Sequence, residues 1–389
     1  MSTPRTIMCL DLDAFYASVE ELLHPEWRGQ PILVGARPEE RGVVSSCSYA
    51  ARAFGIHSAM PMAQALRLGP HSIVTPPRFA IYSEYSQRVM GIVREYGCPV
   101  EQMSVDEVFI DVTECVATWG SPLSLATDVK QRIYTEVGLA CTIGIASNKL
   151  VAKIASIQGK PNGLVHVPAG DEAGFLAPLA ISRLWGVGPK GTARLEALGI
   201  HTIGDLQSAS PGTLKQELGV WAFELQRKAR GIDNSRVETE HETKSISRET
   251  TFVKDVDDLE QLKRVLLSLS EQVGHDLRAE ELQARTITIK LRWPDFTTIT
   301  RQTTLAQPTD SASDIYQTAA SLLAATLKRG LKVRLLGVRA TNLTAGRQLG
   351  LFDVDSEKRS RLEKAVDELR DRFGPKTIRR ATLIRKRDQ

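Results

Sequence analysis

Three carboxylates in two short clusters are the residues of this chain best suited to chemistry. Asp11 lies in Ile7-Met8-Cys9-Leu10-Asp11-Leu12-Asp13-Ala14-Phe15-Tyr16, and Asp106 and Glu107 lie in Gln102-Met103-Ser104-Val105-Asp106-Glu107-Val108-Phe109-Ile110. An apolar run with an acid at its exit reads as a buried strand that delivers the acid to the rim of a sheet. Carboxylates gathered on one rim need a counter-charge, because burying them unpaired is costly. Hard divalent cations with oxygen ligands, Mg²⁺ above all, supply it. Two such ions about 3.5–4 Å apart stabilise the attacking and leaving oxygens of phosphoryl transfer. Asp106 and Glu107 are adjacent, so both reach one site only where the chain bends, as at the tip of a hairpin between Gln102 and Val112. Taken alone, the pair also fits a solvated surface hairpin.

Other residues suit an anionic substrate. A small-residue segment, Gly42-Val43-Val44-Ser45-Ser46-Cys47-Ser48, precedes Tyr49 and Arg52, whose spacing of three puts both on one helical face. Arg presents bidentate donors to phosphate and Tyr presents a hydroxyl; an exposed Arg on an Ala-rich helix is the plain alternative. Lys160, followed by Pro161-Asn162-Gly163, is either a second phosphate contact or a solvated lysine. Trp185-Gly186-Val187-Gly188-Pro189 before a helix over Thr192–Leu198 has the layout of a helix-hairpin-helix. There the glycines let backbone N–H groups approach a nucleic-acid phosphate without reading bases. A tight turn is the alternative.

The elements that must position these groups follow from periodicity. Strand-like runs at Ile7–Leu10, Pro31–Val34, Val108–Val112 and Cys141–Ile145 alternate with helical patterns, which reads as α/β. Asp13 is placed as the N-cap of a helix opening at Ala14, and Ser147 as the cap of a helix through Ile157. Residues 169–236 read as short helices broken by glycines, 237–247 as a polar linker, and the next hundred as α+β. In Thr286–Trp293, Ile287, Ile289, Leu291 and Trp293 alternate with Thr288, Lys290 and Arg292, so the strand offers a basic face outward. Beyond Ala345, an amphipathic helix carries Leu362, Ala365, Val366, Leu369 and Phe373 on one stripe and stops at Gly374-Pro375.

At 389 residues the chain holds three or four domains' worth of sequence, and 42% hydrophobic with 25% charged residues is ordinary for a soluble protein. The net charge of +4 permits nucleic-acid binding, and Lys376–Gln389 concentrates basic residues. No run is long or apolar enough to span a bilayer and no signal-peptide layout opens the chain, so a cytoplasmic location is expected. The five cysteines show no close pairing, which indicates neither a disulfide framework nor zinc.

The motifs Asp11–Glu20, Ser48–Ile56, Ser104–Glu107, Lys160–Leu164 and Trp185–Gly188, in this order, resemble the Y-family translesion DNA polymerases, DNA polymerase IV type, across about residues 5–345. The resemblance implies a multidomain right-hand polymerase combining α/β and α+β parts. It has a ferredoxin-like palm (1–19 and 77–168), small fingers (20–76), a helical thumb with a helix-hairpin-helix (169–236), a linker (237–247) and an α+β little finger (248–344). It implies Asp11, Asp106 and Glu107 as catalytic residues and metal ligands with the Leu12 carbonyl, holding two Mg²⁺ ions. Ser46, Tyr49, Arg52 and Lys160 match nucleotide contacts, and Tyr16 matches the steric gate against a ribose 2′-OH; Asp13 stays an N-cap. Small residues at Val43, Ser45 and Ala59 match the roof over the nascent pair. Gly186, Gly188, Lys290 and Arg292 are the expected DNA contacts. Gln348-Leu349-Gly350-Leu351-Phe352 resembles a sliding-clamp-binding peptide, with Gln348, Leu349, Leu351 and Phe352 as anchors, inside a 345–389 segment that also holds the amphipathic helix and basic tail.

The function implied is template-directed, error-prone synthesis across damaged DNA from dNTPs, by a monomer without proofreading that relies on the clamp. A non-catalytic DNA-binding relative and a palm-type nucleotide cyclase are the alternatives.

Overall fold

The computed structural model describes residues 5–240, 242–327, 330–345, 354–374 and 377–383, with 354–360 described by backbone alone. The expected clamp anchors Gln348, Leu349, Leu351 and Phe352 lie outside the described residues. The chain divides into two compact units, Met1–His241 and Glu242–Gln389.

The first unit contains β1 (Ile7–Leu12), β2 (Ile32–Gly35), β3 (Val44–Cys47), β4 (Ile73–Thr75), β5 (Val100–Gln102), β6 (Glu107–Asp111), β7 (Cys141–Ala146) and β8 (Leu164–His166). One sheet runs β5-β6-β1-β7-β8, and a smaller one runs β3-β2-β4. β1 is central and buried throughout, antiparallel to both β6 and β7. Its period-two alternation divides the packing. Met8 and Leu10 join a core with the helices Phe79–Arg94 and Pro122–Val137, while Ile7 and Cys9 join another with the helix Lys149–Gly159. That last helix lies so close to β7 that a Cβ on Gly144 would sit 2.0 Å from the Ala152 carbonyl oxygen. Only glycine fits there. Short helices between Glu172 and Ala229 pack around Leu176, Ile203, Leu206, Leu214 and Leu225.

The second unit is a four-stranded antiparallel sheet of β9 (Ser245–Val256), β10 (Leu282–Arg292), β11 (Thr298–Thr309) and β12 (Val333–Ala345), in the order β11-β10-β12-β9. The helices Leu259–Ala279 and Ala312–Thr326 pack against it. Ile287, Ile289 and Leu291 are buried and the intervening Thr288, Lys290 and Arg292 are half-buried, as the alternation predicts.

Several local expectations fail for physical reasons. Asp13 is not an N-cap: Ala14 takes the left-handed φ of 47° at the cap position of Phe15–Leu23, and the Asp13 side chain turns inward. Asn148, not Ser147, caps Lys149–Gly159, accepting the Val151 N–H at 3.0 Å; Ser147 bonds Glu172 instead. The thumb-motif helix opens at Pro189, a residue pre-set for a first turn. β9 begins inside the expected linker, and Glu238 N–H is already bonded to Glu101 at 2.9 Å. In the helix Val354–Phe373 the apolar stripe is the exposed side, with Leu362, Leu369 and Phe373 all exposed. Its other side docks through Glu363 and Asp367 on Arg278, and Arg370 on Glu271. Cys98 and Cys115 form a disulfide, their Cα atoms 6.2 Å apart. They are 17 positions apart in sequence, but the β5–β6 hairpin between them brings its two ends together.

Candidate active site

The acids meet through strand register. Asp11 stands opposite Glu107 in the β1–β6 ladder. Leu12 N–H donates to the Asp106 carbonyl at 2.9 Å, and Met103 N–H to the Glu107 carbonyl at 3.0 Å. The bend required between the adjacent acids is therefore present at residues 103–106. Ser104 Oγ shapes it, accepting from the N–H groups of Asp106 and Glu107 at 3.3 and 3.1 Å and donating to Asp106 Oδ1 at 2.5 Å.

Two lysines already sit on these carboxylates. Lys160 Nζ donates to Asp11 Oδ1 at 2.5 Å, and Lys153 Nζ donates to Glu107 Oε2. Burial nonetheless pushes the Asp11 carboxyl up to about 6; it outweighs the pull of Lys160 and is reinforced by Asp106 and Glu107. Beneath the rim, burial pushes the Cys9 thiol up to about 12.

Burial, then the Asp106 charge, raise the Tyr16 phenol pKa. Its ring stacks on Tyr82, centroids 4.3 Å apart and planes 14° apart, with Phe79 edge-on at 6.1 Å. The Tyr82 hydroxyl donates to the fully buried Glu20 at 2.5 Å, and Arg78 completes that carboxylate's pairing.

Tyr49 and Arg52 occupy a single helical turn, Tyr49–Arg52, capped by Ser48. Arg52 stacks over the Tyr49 ring at 4.6 Å, so they do share a face. Burial, followed by the Asp13 carboxylate, keeps the Tyr49 phenol protonated well above its usual range. Ser46 is buried in β3 close by in sequence.

In the helical region, Gly186 has φ 99°, which favours glycine, and Gly188 caps the helix Pro189–Glu196. In the second unit Lys290 reaches Glu249 at 2.8 Å across Gly337, whose absent side chain leaves the gap; a Cβ there would meet the Glu249 Cβ at 3.0 Å. Arg292 donates to Thr298 Oγ1 at 2.8 Å.

Family models match three successive segments. Residues 10–157 match the impB/mucB/samB family, 182–233 the thumb domain of DNA polymerase-iota, and 243–351 the C-terminal domain of the impB/mucB/samB family. DNA polymerase IV of Desulfatibacillum aliphaticivorans is 44% identical over 387 residues, 98% of each chain. The chain belongs to the DNA polymerase IV family. DNA polymerase IV of Listeria monocytogenes serotype 4a (strain HCC23) is 40% identical over 343 residues, 88% of this chain and 96% of that one. Among solved structures, a Y-family DNA polymerase chimera of Dbh and Dpo4 aligns with a TM-score of 0.79 at 27% identity, covering 88% of this chain and 100% of that one. An insertion ternary complex of Dbh DNA polymerase aligns at 0.64 and 26%, with the same coverage. The fold is thus the right-hand Y-family architecture of palm, fingers, thumb and little finger, and the chain is a DNA-directed DNA polymerase of the translesion class. Dependence on a divalent metal comes with this DNA polymerase IV family. No helix among the described residues is long and apolar enough to cross a membrane.

The site's donor chemistry fits such a metal. Its acids and the Leu12 carbonyl offer hard oxygens, burial keeps the neighbouring thiols of Cys9 and Cys141 protonated, and two ammonium groups stand where cationic charge is needed. Among the described residues no three carboxylate, imidazole or thiol groups are already gathered as a metal cluster. Lys160 and Lys153 each pair with one of these carboxylates.

Sequence reasoning missed Lys153 and Tyr82 and placed Asp13 as a helix cap, which it is not. Lys153 had a signal in its spacing, one helical turn beyond Lys149 on a helix that covers β1. Tyr82, on the helix Phe79–Arg94, had no such signal.

Proposed function

We propose that this chain carries out error-prone translesion synthesis by two-metal nucleotidyl transfer, one dNTP at a time on primer–template DNA, without proofreading. The observation that supports it most is the β1–β6 register, which brings Asp11, Asp106 and Glu107 to one rim with Lys160 against Asp11. Asp11, Asp106, Glu107 and the Leu12 carbonyl would hold two Mg²⁺ ions. When bound, the metal supplies Lewis-acid stabilisation of the attacking primer 3′-oxygen and the leaving pyrophosphate.

The chain's own groups do the rest. Lys160 exchanges Asp11 for the triphosphate once the acid's charge is met otherwise, and Arg52, Tyr49 and Ser46 hold the remaining phosphate oxygens. That orientation puts the α-phosphorus in line between the 3′-oxygen and the leaving group, so that one bond forms as the other breaks. Tyr16 fills the space a 2′-OH would need.

The ranges assigned to the parts are palm 1–19 and 77–168, fingers 20–76, thumb 169–236 and little finger 248–344. Gly186, Gly188, Lys290 and Arg292 contact the DNA backbone, and residues 348–352 bind a sliding clamp while the polymerase itself is monomeric. The enzyme works in the cytoplasm. The Cys98–Cys115 bond pulls against that compartment, and mass spectrometry after rapid thiol alkylation in lysates decides its state there. Primer extension on a defined template with dNTPs and Mg²⁺ tests the central reading. DNA binding without extension would leave a non-catalytic relative, and cyclic nucleotide formation a cyclase.

A further inference from the structure

We infer that Asp13 is a positioning residue that ties the triphosphate-binding side chains into one unit. The inference rests on the reading of Tyr49 and Lys160 as triphosphate contacts. Asp13 follows β1 two residues after Asp11, and it is 4% exposed. Both of its carboxylate oxygens are engaged. Oδ1 accepts from the Tyr49 hydroxyl at 3.2 Å, and Oδ2 accepts from Asn162 N–H at 2.7 Å. Thr142 Oγ1 lies between them, 3.0 and 3.1 Å away, and itself accepts from Gly163 N–H at 3.3 Å. One buried carboxylate thereby joins the turn carrying Tyr49 and Arg52, the strand β7, and the segment directly after Lys160.

Hydrogen bonds to an ionised acceptor are stronger and more directional than neutral ones, so such a hub fixes what it holds. Fixing the Tyr49 hydroxyl also fixes Arg52, whose guanidinium lies over the Tyr49 ring. Fixing Asn162 and Gly163 anchors the backbone beside Lys160 and leaves its ammonium free to change partners. The two acids on either side of Leu12 thus have separate duties: Asp11 faces the metal and Asp13 holds the nucleotide-binding groups. A role for Asp13 as one more metal ligand fits poorly, since a cation would have to displace three donors from a closed site.

Insertion kinetics on a defined primer–template test this with Asp13→Asn, Tyr49→Phe and the double variant. Asp13→Asn is expected to raise the dNTP KM ~10-fold, the scale of losing charge-assisted hydrogen bonds, while DNA affinity and half-saturation by Mn²⁺ stay put. In the double variant KM is expected to rise clearly less than the product of the single factors, a coupling that a general loss of stability does not produce. An unchanged dNTP KM, a multiplicative double variant, or a large shift in Mn²⁺ half-saturation would overturn the inference. If Tyr49→Phe itself leaves KM unchanged, the triphosphate reading of Tyr49 falls and this inference with it. If Asp13→Asn does not fold, Thr142→Val decides: a raised dNTP KM supports the role and an unchanged one removes it.

Discussion

Tyr16 is held as a ring and not as a hydroxyl: one face stacks on Tyr82 and an edge meets Phe79. Sugar discrimination by such a ring is steric, so Tyr16→Phe should leave the preference for dNTPs intact. Tyr16→Ala should raise the ratio of ribonucleotide to deoxynucleotide insertion ~10–200-fold, the range for relieving a misfit of a few atoms. It should also cost ~0.5–1.5 kcal/mol of stability from the lost ring pair. A melting curve beside the kinetics separates this from a purely structural ring, which would lower stability with sugar preference unchanged. For the acids, Asp106→Asn should lower single-turnover insertion ~10³-fold, as removal of preorganised charge stabilisation does, with DNA binding by anisotropy retained. Near-normal insertion would sink the assignment. Asp11, Asp106 and Glu107 were legible in the sequence because apolar runs mark where strands deliver them. Asp13 was not, because its direction is set by a left-handed Ala14 and by Thr142, 129 residues away. No local pattern carries that information.

At the scale of elements, strands read more truly than caps. β1, β6 and β7 fall within two residues of their apolar runs because two-sided burial leaves no polar position to blur them. Ser147 and Asn148 are both good caps, and only the partner Glu172 drew the serine away. The helix after residue 353 misleads by a different route: its stripe is periodic, yet ion pairs at Arg278 and Glu271 dock its polar side. The helix Lys149–Gly159 depends on one further pair the sequence hid. Lys149 Nζ bonds both oxygens of Glu101 at 2.7 and 2.6 Å, the two side chains only 8% and 4% exposed. Lys149→Met should therefore destabilise the first unit by ~3–5 kcal/mol, since it removes the ammonium that balances a buried carboxylate. Adding Glu101→Gln should recover a large part of that loss in denaturant unfolding. A loss under ~1 kcal/mol would mean that water reaches Glu101 readily and that the pair does not hold the helix to β5.

For the whole molecule the question is how two units with separate cores act on one DNA and stay on it. The outward face of β10 contributes Lys290 and Arg292, but Lys290 is engaged by Glu249. Neutralising Lys290 and Arg292 together should weaken binding on every sequence and reduce the salt slope by up to ~2. Glu249→Gln should do the reverse, tightening binding by freeing Lys290; an unchanged affinity in both variants would place the DNA elsewhere. Contacts of this kind are weak and screened, so they do not by themselves keep a polymerase on its template through many steps. The segment Gln348-Leu349-Gly350-Leu351-Phe352 follows β12 in the sequence and contributes no residue to the catalytic sheet. A few apolar anchors dominate interfaces of that size, so replacing Leu351 and Phe352 by Ala should cost ~2–4 kcal/mol of clamp binding. Extension without the clamp should match the wild type, and stimulation by the clamp should disappear. If the double variant still responds fully, the contact lies outside this peptide, and the exposed stripe of Leu362, Leu369 and Phe373 is the next surface to alter.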